Sequence, residues 1–158
     1  MVPTPEAAMA VALDRVRWAL TYPRRHGQDD WDGRLGRALT ALHKAWAAHG
    51  ARAEARMAEM ADPTELPFTA TARRAAELRR EHRELGKEAR ALCRALRRTP
   101  SLYQACFSQA DRGRARRRLA VILRRVEALA DAVGRHLSAE RDLPGAEPHL
   151  LLSGQGDG

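Results

Sequence analysis

The stretch Leu119–Leu143, LAVILRRVEALADAVGRHLSAERDL, decides how this chain folds. Leu119, Ile122, Val126, Leu129 and Val133 recur at alternating steps of three and four residues, the spacing that lines one face of an α-helix. Two further steps along that line land on His136 and Glu140. A seam made for burial thus ends on an imidazole and a carboxylate one turn apart. At that spacing the pair can share a metal ion or simply a hydrogen bond.

The rest of the chain repeats the pattern three times. Thr4-Pro5-Glu6 reads as an N-cap, a proline at the first helical position and an acidic first turn, opening a helix that stops before Pro23. A second helix is expected from about Trp31 to Ala61, a third from about Ala70 to Arg98, and a fourth from about Asp111 to Asp142. The segments PRRHGQDD, DPTELPFT and TPSLYQACF separate them. Met9, Leu13, Val16 and Leu20 form the first seam. Leu35, Leu39, Leu42 and Trp46 form the second, continuing to Ala53, Met57 and Met60. Ala75, Leu78, Leu85, Ala89, Leu92 and Leu96 form the third. Scarce β-branched residues and abundant Ala, Leu, Arg and Glu favour helix, and no period-two run proposes a strand. The expected fold is all-α, an up-down-up-down four-helix bundle over residues 1–145, with a flexible tail over 146–158. Trp18, Trp31 and Trp46 are expected in the core or docking helices together.

Gaps in the seams point to a site. His49 occupies the seam position between Trp46 and Ala53, and His82 the one between Leu78 and Leu85. With His136, three helices each turn one histidine inward. Two readings follow: a buried polar layer whose imidazoles hydrogen-bond carbonyls or carboxylates, or a metal site. Gly50, Gly86 and Gly134 stand near these histidines. They either leave room for a ligand or a close helix approach, or reflect Gly/Ala drift in a GC-rich gene.

Three segments resemble helices of hemerythrin-like, HHE cation-binding domains: LRREHRELGKEARAL (Leu78–Leu92), HGARAE (His49–Glu54) and HLSAERDL (His136–Leu143). The resemblance implies a four-helix bundle that holds two non-haem irons through histidines and bridging carboxylates and binds dioxygen or senses oxygen, nitric oxide or iron; for this chain the expected cofactor is non-haem iron, mono- or dinuclear. The candidate ligands are then His49, Glu54, His82, His136 and Glu140. A di-iron centre of that family uses five histidines and two carboxylates, more than this sequence supplies, and the first helix has no seam ligand. Counted from helix ends at 1.5 Å per residue, His49 and His82 fall at one level, whereas His136 falls roughly 10 Å off it.

The net charge of +8 rests almost wholly on arginine, since only Lys44 and Lys87 are lysines. The run RGRARRR (Arg112–Arg118) puts positive charge where the helix dipole opposes it. It gives an alternative function, a metal-free interaction module whose arginine face meets an acidic partner or nucleic acid. No aromatic residues interleave for base stacking. HGQDDWD (His26–Asp32) lacks the glycine and spacing of a calcium loop. Cys93 and Cys106 are too few for a disulfide framework and read as reduced thiols. No Ser/His/Asp arrangement or glycine-rich phosphate loop appears, so no enzymatic activity is expected. Neither a secretory leader nor a membrane-spanning run stands out; a soluble, cytoplasmic protein is expected.

Overall fold

The computed structural model describes residues 4–21, 31–59, 70–99 and 109–143. They form helices α1 (Pro5–Thr21), α2 (Trp31–Glu59), α3 (Ala70–Arg98) and α4 (Gln109–Arg141), with no strand among the described residues. The bundle is the up-down-up-down one that the seams predict. Each helix packs on the next, and α1 closes the ring against α4. Side-chain pairs give the direction. Trp46 and Gly50 on α2 lie beside Gly86 and His82 on α3, and Glu81 and Glu88 on α3 meet His136 and Arg125 on α4. Rising numbers face falling ones in both cases, so these neighbours are antiparallel.

Local chemistry sets the helix ends. Thr4 Oγ1 accepts the Ala7 amide at 3.2 Å and the Thr4 carbonyl accepts the Ala8 amide at 2.8 Å, so the predicted cap opens α1. At the end of α3, the Thr99 hydroxyl donates to the Ala95 carbonyl at 2.9 Å. Arg97 and Arg98 there place positive charge at the negative end of the dipole. Helix α4 begins at Gln109, slightly before the expected Asp111.

The core follows the seams. Val16, Leu35, Leu39, Leu78, Leu92 and Val126 are wholly buried, and alanines such as Ala12, Ala38, Ala89 and Ala130 fill the gaps between them. Such small residues let the helix axes come close. Trp46 is the large buried residue. Trp18, expected in the core or docking helices together, is 53% exposed and so lies outside the core. It follows Val16 by two residues, which turns it to the far side of a helix that buries Met9, Leu13 and Val16. Cys93 is buried as a free thiol, and burial pushes its pKa up although the Thr40 hydroxyl bonds it. No described helix is long and apolar enough to cross a membrane. His26, Met60, Cys106 and the expected tail lie outside the described residues, as do the side chains of Trp31, Met57 and Arg112.

Candidate metal centre

The three seam histidines meet. Ring centroids lie 5.6 Å apart for His49 and His82 and 5.5 Å apart for His82 and His136. Among the described residues, the buried polar side chains are His49 and His136, 3% and 2% exposed. Glu140, one turn beyond His136, joins the group: its Oε2 lies 2.6 Å from His49 Nε2 and its Oε1 lies 3.0 Å from His136 Nε2. The other nitrogen of His136, Nδ1, faces Glu81 Oε2 at 3.2 Å.

The axial offset expected for His136 is therefore overturned. Counting from helix ends assumes that α3 and α4 end flush, and they do not. The pairs Glu81–His136 and Glu88–Arg125 set Arg98 beside roughly residue 117, so α4 overhangs α3 by about eight residues, or ~12 Å. That overhang lifts His136 to the level of His82.

Two glycines make the convergence possible. A Cβ at Gly50 would overlap the His82 imidazole, with Cδ2 at 2.9 Å and Cε1 at 3.0 Å. A Cβ at Gly86 would press Trp46 Cδ1 at 3.3 Å and Nε1 at 3.4 Å. Close approach is thus the physical account of Gly50 and Gly86. Gly134 differs, since its neighbour is only the flexible tip of Arg17 at 3.2 Å. Trp46 fixes His82 from the other side. The two rings stack at 4.1 Å with planes 9° apart, and the indole Nε1 donates to the His82 carbonyl at 3.0 Å.

The electrostatics divide the histidines into two kinds. Burial, then the positive potential of His136 and His49, lowers the His82 pKa to about 4. At neutral pH His82 is an uncharged ring with a lone pair to give. Burial also acts to lower His136, but hydrogen bonds to Glu140 and Glu81 outweigh it, and the net shift is upward. Carboxylates only accept, so a ring bonded to one on each side donates from both nitrogens, as an imidazolium does. Burial acts to raise Glu140, yet hydrogen bonds from His136 and His49 hold it at about 2. Glu140 also sits in the last turn of α4, where the dipole disfavours an anion. A carboxylate in that position calls for positive charge beside it.

One donor atom from each of His49, His82 and Glu140 lies within 4.8 Å of the other two. A point equidistant from three such atoms is about 2.8 Å from each at most, against bonds near 2.1 Å in metal sites. Side-chain shifts of under about 1 Å would close the shell. The Nδ1 atoms of His49 and His82 are buried without a hydrogen-bond partner among the described residues, so both imidazoles keep unused bonding capacity. Two imidazoles and a carboxylate suit iron, manganese or zinc. The residues fit a metal.

Not every predicted ligand belongs. Glu54 is exposed and stands outside the group, because five residues after His49 carries it well around the helix from the seam. His136 is in the cluster, but both of its nitrogens face carboxylates. Glu81, which the seam pattern did not select, is the missed member. Its only signal was its place directly before His82, on the side of α3 that borders α4.

Fold and site together define a four-helix bundle with a buried histidine–carboxylate cluster. Comparison of the chain with models of protein families, with curated proteins and with solved structures gives no match.

Proposed function

We propose that the protein binds a non-haem metal ion in its bundle and acts in metal or oxygen sensing or binding, in the manner of the hemerythrin-like domains its helices resemble. Iron is the ion that resemblance favours; the donor set also suits manganese and zinc. One observation carries the proposal: His49, His82 and Glu140, from three helices, bring donor atoms within 4.8 Å of one another. The neutral state of His82 supports it, since this ligand has no proton to lose. The short bond between His49 and Glu140 supports it too, because an ion would take the place of the shared proton. Metal analysis of the purified protein, with His82→Ala as control, is the test. Bound metal in the wild type and its loss in the variant are expected; a metal-free wild type that takes up no added Fe2+, Mn2+ or Zn2+ rejects the proposal.

A second reading rests on the opposite end of the α3–α4 pair. Arg94, Arg97, Arg98, Arg116, Arg117 and Arg118 are all exposed there. The last three lie in the third turn of α4. This reading is an interaction module that meets an acidic partner or nucleic acid. Binding of duplex DNA or RNA would then weaken steeply as salt rises, and no binding at low salt rejects nucleic acid as the partner.

A further inference from the structure

The cluster contains five ionisable side chains, His49, Glu81, His82, His136 and Glu140, and their pairing is not symmetrical. His49 offers Nε2 to Glu140 Oε2, and both residues share with His82 the group whose donor atoms lie within 4.8 Å of one another. His136 occupies the other oxygen, Oε1, at 3.0 Å. Glu81 then occupies the far nitrogen of His136 at 3.2 Å. The chain Glu81–His136–Glu140 is a carboxylate, an imidazole and a carboxylate in series, leading toward the point where the donor atoms of His49, His82 and Glu140 converge.

We infer that the centre is mononuclear, with His49, His82 and Glu140 as its protein ligands, and that His136, held by Glu81, is a positioning residue that aims Glu140. This rests on the metal-binding proposal above and sharpens it. Three observations carry it. First, His136 stands outside the group of donor atoms that lie within 4.8 Å of one another, and both of its nitrogens, unlike those of His49, face a carboxylate oxygen. Second, the described residues hold no other group of ligands for a second ion. Glu81 and Glu140 engage opposite nitrogens of one ring, Glu54 faces water, and the buried face of α1 is Met9, Ala12, Leu13, Val16 and Ala19. Third, the arrangement has a purpose in metal chemistry. A donor on Oε1 leaves Oε2 as the single ligating oxygen and fixes the plane of the carboxylate, the kind of support that sets ligand orientation in metal sites. His136 is only 1% exposed in its side chain, so it holds Glu140 without competition from water. Glu81 is 49% exposed and ties the dyad to the surface.

The test uses Co2+ as probe on the full chain, read by stoichiometry, affinity and X-ray absorption. One ion per chain and two imidazoles on it are expected in the wild type. His136→Gln, whose amide still donates to Glu140, should keep one ion and two imidazoles with weaker binding. Glu81→Ala should keep the same stoichiometry and imidazole count and raise the Kd about 10- to 100-fold, the usual cost of losing an outer-sphere partner. His82→Ala should lower the imidazole count or abolish binding. A wild-type count of three imidazoles that falls to two in His136→Gln makes His136 a ligand and overturns the inference, as do two ions per chain. Unchanged affinity in Glu81→Ala overturns the positioning role. If His136→Gln does not fold, Glu81→Ala decides alone, since its loss removes no buried packing. A wild type that binds no Co2+ sinks the metal-binding proposal itself, a different failure from a miscounted shell.

Discussion

Gly50→Ala is the most telling perturbation, because helix propensity and packing predict opposite signs for it. Alanine in place of a helical glycine gains about 0.5–1 kcal/mol where the methyl group meets nothing. Gly36, on the same helix, is such a place, with no atom within 4 Å of an added Cβ. At Gly50 the Cβ would run into the His82 ring, with Cδ2 at 2.9 Å and Cε1 at 3.0 Å. His82 cannot yield freely, since Trp46 stacks on it at 4.1 Å and His136 lies beyond it. Overpacking of this kind costs about 1–3 kcal/mol, and an aromatic stack is worth about 0.5–1.5 kcal/mol. Taking mid-range values, Gly50→Ala should lose about 1–2 kcal/mol net while Gly36→Ala gains up to about 1 kcal/mol. For a chain of this size each kcal/mol moves Tm by about 2–4 °C, so the two variants should separate by several degrees, and in urea by their midpoints at equal slope. Displacing His82 should also weaken any metal binding in Gly50→Ala and leave Gly36→Ala unaffected. Equal stabilisation by both substitutions would refute this account and return Gly50 to codon drift.

Acid should destabilise the metal-free protein in a defined window. The folded pKa of His82 is lowered from 6.5 to about 4, so the unfolded chain binds the proton first; stability is full above about pH 6.5 and falls by at most about 3 kcal/mol as pH drops to about 4. Urea midpoints measured with chelator should show this loss, and His82→Gln should flatten it; a wild type with no loss between those limits contradicts it. Glu140, held at about 2 against an ordinary 4.5, contributes above pH 4.5 and loses that contribution as pH falls toward 2. Glu140→Gln should therefore cost about 2 kcal/mol at pH 7, from hydrogen bonds made to a charged oxygen, and progressively less in acid; a pH-independent cost would remove its ionised state from the account. Trp46→Phe keeps a ring over His82 but deletes the 3.0 Å donor to its carbonyl. The expected loss is about 1–2 kcal/mol, and no change in thermal midpoint would show that stacking alone holds His82.

How much of this was readable in the sequence depends on the range of the signal. Helices and their buried faces are local properties, so Leu119 through Val133 predicted a seam and Val126 and Val133 are buried on it. The inward turn of His49 and His136 followed from the same periodicity, and so did the failure of Glu54, whose five-residue step leaves the face. Periodicity says which way a residue points and nothing about its height. Height depends on how far one helix slides past the next, and a core rich in alanine offers few large knobs to fix that slide from sequence. For α3 and α4 the slide was the whole difference between an apparent offset and contact. Glu81 needed still more: it borders α4 rather than α2 only once the order of the helices around the bundle is set. The cluster thus depends on two non-local quantities, offset and order: Glu81–His136 and Glu88–Arg125 mark the offset of α3 against α4, and Gly50 and Gly86 let α2 and α3 close around Trp46 and His82. Those glycines are where the local pattern hands over to the tertiary one, which is why substituting Gly50 tests the site as directly as removing one of its ligands.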